Sequence, residues 1–347
     1  MRIEPFLAVA LQVPALSVEA AADAAEARAR VQARIAELEG EIASARGFLE
    51  RFHGVAVGLV VLPEYLFTGY DSGRTPDFAA RAAFAPDGPE YAALGLVARR
   101  LGVHLAANAY ETDPEFPGLH FQASILVAPS GEVVLRYRRL HSLYTASPHD
   151  VWRRYAARGV ERIFPVADTA IGRIGAIASE EILIPEVARA LALRGAEILV
   201  HSSSELGSLQ PTAKHIARRA RAIENLAYVV SANTAGIRGG GLAGAGADGN
   251  SAVVDPDGRV LAEAPPGANA NAAAVLDVEA LRARRRRAGM TNHLARLRLE
   301  PFREIYAGTV LPPDSLLAGD ELRRPDRGHA VETLRAAIAR LEAQGRI

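Results

Sequence analysis

The sequence predicts a layered α/β fold. Two observations carry the prediction. Short apolar or β-branched runs alternate with amphipathic helical stretches, and paired runs around turn-forming residues read as hairpins set among them. VAVGLVVL (55–62) looks like a strand buried on both faces. Val31, Ile35, Leu38, Ile42 and Leu49 fall on one helical face.

The elements follow in order. Phe6–Leu16 is apolar and follows Arg2. It is short, is broken by Gln12 and Pro14 and has a weak basic flank, so 6–12 reads as a core strand and not as a targeting segment. Ser17 is the expected cap of a helix running to about Phe52, which Gly54 ends. A helix is expected over 89–101 and a strand over 103–110. FQASILVAP and EVVLRYRRL (121–140) form a hairpin around Pro129-Ser130-Gly131. A strand over 171–179, a helix from Pro185 to Arg194 stopped by Gly195, and a strand over 196–204 come next. Then follow a helix over 212–226, a strand over 227–235, a hairpin over 249–264 and a last strand over 272–278. Leu281–Arg287 is a short basic helix with a solvated face, and a terminal amphipathic helix spans about 329–343. The glycine stretch 236–249 reads as a loop within one sheet system, not a domain boundary. Residues 1–308 make one domain, and 309–347 form a tail that packs on the core or on a partner subunit.

Composition excludes several kinds of chemistry. There is no cysteine, and of 40 basic residues only Lys214 is a lysine. Thiolate nucleophiles, Cys-ligated metals and disulfides are therefore ruled out. Forty acids balance the 40 bases, so no field favours nucleic acid or anionic lipid. No apolar run is long enough to span a membrane, and the expected compartment is the cytoplasm. No histidine spacing suggests a metal, and the glycine stretch is a poor dinucleotide fingerprint. No cofactor is expected.

Polar residues at the ends of buried strands are the natural candidates for chemistry. LPEYLFTGY (62–70) carries Glu64, a carboxylate after a strand too apolar to be an edge, so it is paired or functional. YRRLHS (137–142) carries Arg138 and Arg139, which in isolation read as surface charge. ASEEILIPE (178–186) sets Ser179, Glu180 and Glu181 at a strand–turn–helix corner. Such a corner exposes a side chain and offers backbone N–H groups to an oxyanion, or simply caps a helix. HSSSE (201–205) either lines a pocket or caps the helix that follows.

Taken together and in this order, these segments resemble the nitrilase, or carbon–nitrogen hydrolase, superfamily over about residues 6–306. LVVLPEYLFTGY resembles its glutamate motif, LRYRRLHS its lysine motif and IGAIASEEILIPEVARALALRGAEILVHSSS its nucleophile motif. RRARAIENLAYVVSAN and GNSAVVDPDGRVLAEA resemble the downstream blocks. The resemblance implies a four-layer α-β-β-α sandwich, protomers paired into homodimers or larger homo-oligomers, and cleavage of a nonpeptide C–N bond in a small nitrile, amide or carbamoyl compound. The family works with a Glu base, a Lys that stabilises the oxyanion and a Cys nucleophile. Here Glu64 stands for the base, Arg139 for the lysine and Ser179 for the cysteine. His201 is a candidate substitute base, and Glu180 and Glu181 are candidate auxiliaries. Tyr65, His141, Tyr144, His149, Trp152 and Ser202 are expected to wall the substrate pocket.

Three functions fit this pattern: a hydrolase with a remodelled Glu-Arg-Ser site, a non-hydrolytic homologue that binds a small ligand or serves as an assembly partner, and an engineered Cys-to-Ser trapping variant. The last leaves Arg139 unexplained. For the hydrolase, Ser179 Oγ should reach Glu64 or His201, with Arg139 aimed at the same point. With an Arg139 locked to Glu180 or Glu181 and filling the pocket, the hydrolase reading fails.

Overall fold

The structure, a computed structural model, describes residues 2–70, 78–142, 145–205, 212–240, 249–325 and 328–347. In chain order the first fourteen strands are β1 (Phe6–Gln12), β2 (Ala15–Leu16), β3 (Val57–Val61), β4 (His104–Thr112), β5 (His120–Val127), β6 (Val133–Arg138), β7 (Val166–Thr169), β8 (Gly172–Ala178), β9 (Ile198–Ser203), β10 (Tyr228–Asn233), β11 (Ile237–Arg238), β12 (Ala252–Val254), β13 (Val260–Glu263) and β14 (Ala270–Leu276); β2 and β11 pair only with each other, and the other twelve build two main sheets. One six-stranded sheet has the order β14-β1-β3-β4-β5-β6, the other β13-β12-β10-β9-β8-β7. In each, parallel strands form the centre and antiparallel strands the edges.

The pleat of β1 shows how the layers are specified. Leu7, Val9 and Leu11 pack with Val31, Ile35, Leu38 and Ile42 of helix Ala24–His53 and with helix Pro89–Leu101. Their neighbours Ala8 and Ala10 join the other cluster, with Ala176, Ile177 and Val230 of the second sheet. Side chains alternate across a strand, so large residues face the helices and alanines face the other sheet. Helices Pro185–Leu193 and Ala213–Asn225 cover the second sheet's outer face. The layers are therefore helix, sheet, sheet, helix, as the resemblance implies.

Most element bounds match the sequence reading within a few residues, and the terminal helix is His329–Ala343. The first helix does not begin at Ser17. Ala15–Leu16 pairs with Ile237–Arg238 instead, and Asp23 caps the helix by accepting from Glu26 N at 2.8 Å. Most of the glycine stretch, 241–248, lies outside the described residues. In the basic helix, Arg282 pairs with Glu197 and Arg285 donates to the carbonyls of Ala196 and Leu226. These arginines are structural. Past residue 308 the chain folds back on itself: Asp314 N donates to His149 O, Leu316 N donates to Asp150 O, and Leu316 is buried among Phe116, Phe121 and Tyr155.

Filling the inter-sheet layer should cost stability. Ala10→Leu is expected to lower the unfolding free energy by about 1–3 kcal/mol, read from the denaturant midpoint with an unchanged slope.

Candidate active site

Glu64, Arg139 and Ser179 each stand just past the carboxyl end of a strand: β3, β6 and β8 respectively. At this point the two sheets are stitched together. Glu64 N donates to Ser203 O at 3.2 Å, and Ser202 Oγ donates to Leu62 O at 2.8 Å. Ser202, expected in the pocket wall, is thus a suture between sheets.

Glu64 is 1% exposed. Gln122 Nε2 donates to its Oε1 at 2.5 Å and to Asn108 Oδ1 at 3.1 Å. Gln122 Oε1 accepts from Arg139 Nη1 at 2.8 Å, and Arg139 Nη1 lies 3.8 Å from Glu64 Oε1. One amide therefore spaces the carboxylate from the guanidinium and makes one bond to each. The sequence reading missed Gln122. Its signal was an amide in the otherwise apolar start of FQASILV, where a polar group must find buried partners.

Arg138 and Arg139 are both buried, which corrects their reading as surface charge. They point to opposite faces, as neighbours at a strand end must. Arg138 pairs with Glu111 and Asp113, while Arg139 turns to the site. Arg139 Nε donates to His141 O at 2.7 Å, and Nη2 donates to Glu180 Oε2 at 2.8 Å. Burial opposes the charge of Arg139, but Glu64, the Tyr65 phenol, Glu181 and Glu180 outweigh it and raise its pKa. A guanidinium has five N–H donors, so among the described residues the three bonds to Gln122, His141 and Glu180 leave two.

Ser179 has φ 51°, one of two left-handed non-glycine residues beside the site groups, the other being Tyr65 at 56°. Such backbone is uncommon outside glycine and persists where surroundings over-determine it. Ser179 caps no helix: helix Pro185–Leu193 starts at Ile184 with no side-chain cap. Among the described residues its Oγ makes no hydrogen bond, so the expected contact with Glu64 or His201 is not formed.

His201 is not placed as a base. Its Nε2 lies 2.8 Å from the backbone carbonyl of Ser179 and its Nδ1 2.8 Å from Ser231 Oγ. A carbonyl only accepts, so Nε2 carries the proton and Nδ1 accepts from the serine. Burial, with Lys214, Arg218 and Arg139 nearby, pushes the pKa of His201 down to about 3. Glu181 is also not an auxiliary acid. Fully buried, it accepts from Leu140 N, His141 N and Tyr137 O–H at 2.8–2.9 Å, and so clamps the Arg139 segment onto the Ser179 turn. Glu180, by contrast, has a 56% exposed side chain.

The remaining candidates divide. The Tyr65 ring stacks on Tyr110, and its phenol is held well above its ordinary pKa by burial and by Glu64. His141 touches Arg139 through its carbonyl, and its ring is half exposed. His149 and Trp152 pack beneath the C-terminal segment and make no hydrogen bond or ring contact with Glu64, Arg139 or Ser179. Tyr144 lies outside the described residues. Lys214 does reach the edge of the junction, donating to Ser203 Oγ at 3.3 Å.

The family model for carbon–nitrogen hydrolases matches residues 27–286. The chain belongs to the carbon–nitrogen hydrolase family. It is 31% identical over 210 residues to an (R)-stereoselective amidase of a Pseudomonas species, covering 59% of this chain and 68% of that protein. It is 26% identical over 206 residues to a probable nitrilase of Schizosaccharomyces pombe, covering 59% and 70%. Among solved structures, the carbon–nitrogen hydrolase of Helicobacter pylori G27 superposes with a TM-score of 0.63 at 21% identity, covering 87% of this chain and 98% of that one. An amidase of Nesterenkonia sp. AN1 does so at 0.59 and 22%, covering 86% and 97%. The structure of its E41L variant has the acetamide moiety of fluoroacetamide added covalently at the active-site cysteine.

His201 makes acid sensitivity predictable. Above the ordinary histidine pKa of about 6.5, neither folded nor unfolded chain protonates it. Below that, only the unfolded chain gains the proton, so stability falls with pH until the folded value is reached. Chemical denaturation between pH 7 and 5 should show a loss approaching ~1.4 kcal/mol per unit below pH 6.5 from this group. His201→Gln should lack that component.

Proposed function

We propose that the protein is a cytoplasmic amidase-type hydrolase of nonpeptide C–N bonds that works through Ser179. The carrying observation is the convergence of Glu64 and Arg139 on one buried amide, beside a left-handed Ser179 whose hydroxyl makes no hydrogen bond among the described residues. Ser179 Oγ attacks the carbonyl carbon of a small amide and passes its proton to Glu64. The resulting oxyanion takes the two free N–H groups of Arg139. Collapse breaks the C–N bond, Glu64 returns the proton to the departing amine, and an acyl ester remains on Ser179. Water, deprotonated by Glu64, then attacks the ester carbon; the bond to Oγ breaks, the acid leaves, and Glu64 returns the proton to Ser179 Oγ.

A hydroxyl is a weaker nucleophile than a thiol and leans harder on its base. Arg139 keeps the charge of the family's lysine but cannot give up a proton. Slow turnover follows. Glu180 is no fixed obstacle: its own side chain is 56% exposed, so it can turn to solvent when a substrate oxygen takes its place on the buried Arg139. Apo contacts of this kind also commonly tighten only in the complex.

Intact-mass spectrometry on a panel of small amides and aryl esters should show a single acyl adduct or turnover, absent in Ser179→Ala. The Ser179→Cys, Arg139→Lys pair should raise amide hydrolysis by about 10²–10⁴-fold. The second reading is a ligand-binding homologue, favoured by the hold of Glu180 on Arg139. It gains if the wild type neither turns over nor forms an adduct, and if Ser179→Ala binds ligand unchanged.

The same reading includes a homodimer. Leu299, Phe302, Ile305 and Tyr306 are exposed, and Tyr306 O–H donates to Glu186 of helix Pro185–Leu193, whose Leu193 is also exposed. Light scattering should give about twice the chain mass, and Ile305→Asp should halve it. A monomeric wild type contradicts this.

A further inference from the structure

We infer that His201 and Ser231 form a positioning relay that sets the backbone of the nucleophile turn. The inference deepens the amidase reading, and its kinetic consequence rests on Ser179 being the nucleophile. In the parallel ladders His201 lies opposite Ser231 of β10 on one side and Ile177 of β8 on the other, two residues before Ser179. Its imidazole therefore spans the sheet sideways, from a hydroxyl on one neighbour to the carbonyl that ends the other. Both bonds are 2.8 Å, and His201 and Ser231 are 1% and 3% exposed.

The turn needs such a holder. A left-handed backbone is unfavourable for any residue but glycine, and among the described residues Ser179 has no side-chain bond of its own to fix it. Pinning the Ser179 carbonyl pins the whole peptide plane to Glu180, because that unit is flat and trans. The Glu180 N–H then points away from His201. The same constraint fixes Cα of Ser179 and so the direction in which Oγ leaves the turn. An imidazole is well suited to hold this carbonyl. It is rigid, it donates from one nitrogen while accepting at the other, and a polar group buried this deeply is tolerated only with both bonds made. In this role His201 touches neither substrate nor proton and acts through Ser179.

Three variants test this: His201→Phe, which keeps the ring and loses both bonds; His201→Gln, which retains an N–H donor; and Ser231→Ala. Amide hydrogen exchange of segment 176–183 should speed up at least tenfold in His201→Phe, less in Ser231→Ala, and stay near wild type in His201→Gln, with far-UV dichroism unchanged in all three. Turnover or acylation should fall about 10²-fold in His201→Phe with KM within about threefold, and His201→Gln should recover most of it. Imidazole nitrogen shifts should report the Nε2–H tautomer, unchanged in Ser179→Ala, since the bond is to a backbone carbonyl.

Unaltered exchange in His201→Phe overturns the inference whether or not the chain hydrolyses anything. So does a tautomer change in Ser179→Ala, which would mean that the ring bonds the hydroxyl. If His201→Phe does not fold, the Ser179→Ala shifts and the Ser231→Ala exchange still decide. Faster exchange in His201→Phe and Ser231→Ala without any wild-type acylation would instead sink the amidase reading and leave the relay standing.

Discussion

A carboxylate and a guanidinium buried where two sheets meet are the constraint on which the rest of this molecule turns. Either group alone would be costly there. Glu64 and Arg139 are tolerated because Gln122 bonds both, and because Asn108, His141 and Glu180 take up further capacity. The surrounding strands are arranged to make this possible. The sutures Glu64–Ser203 and Ser202–Leu62 join the sheet ends. The alanine layer of β1 brings the sheets together, and Glu181 clamps the Arg139 segment onto the Ser179 turn.

Much of the fold was legible in the sequence, because period and turn chemistry are local. The stripe Val31–Leu49 faces its sheet as its spacing requires, and the hairpin 121–140 pairs around its glycine turn. The start of the first helix was misread. Ser17 is a good cap in isolation, but its neighbours Ala15–Leu16 are claimed by Ile237–Arg238, far along the chain, and Asp23 sits where the helix can actually begin. That competition is tertiary, and no local pattern carries it.

The candidate site was legible in its residues and not in its wiring. Glu64, Arg139 and Ser179 came from motif order. Which of Arg138 and Arg139 faces the site depends on strand register, and whether Glu180 or Glu181 is buried depends on the turn's conformation. His201 shows the gap most clearly. The sequence places a histidine at a strand end, and only the backbone shows that it bonds Ser179's carbonyl and not its hydroxyl. On the proposed reading Ser179 and Arg139 stand where the family's cysteine and lysine are expected, which leaves charge in place while removing the easy nucleophile. The chain's one lysine stands at Ser203, next to the Glu64 suture, and does not restore the missing amine.

The most direct test of a serine-based site is a crystal structure of the protein soaked with an aryl ester. The account predicts continuous density from Ser179 Oγ to the acyl carbon, with the acyl oxygen in hydrogen-bond reach of Arg139 and Gln122 still bridging to Glu64. An intact ester beside an unmodified Ser179, with Arg139 still on Glu180, would contradict it.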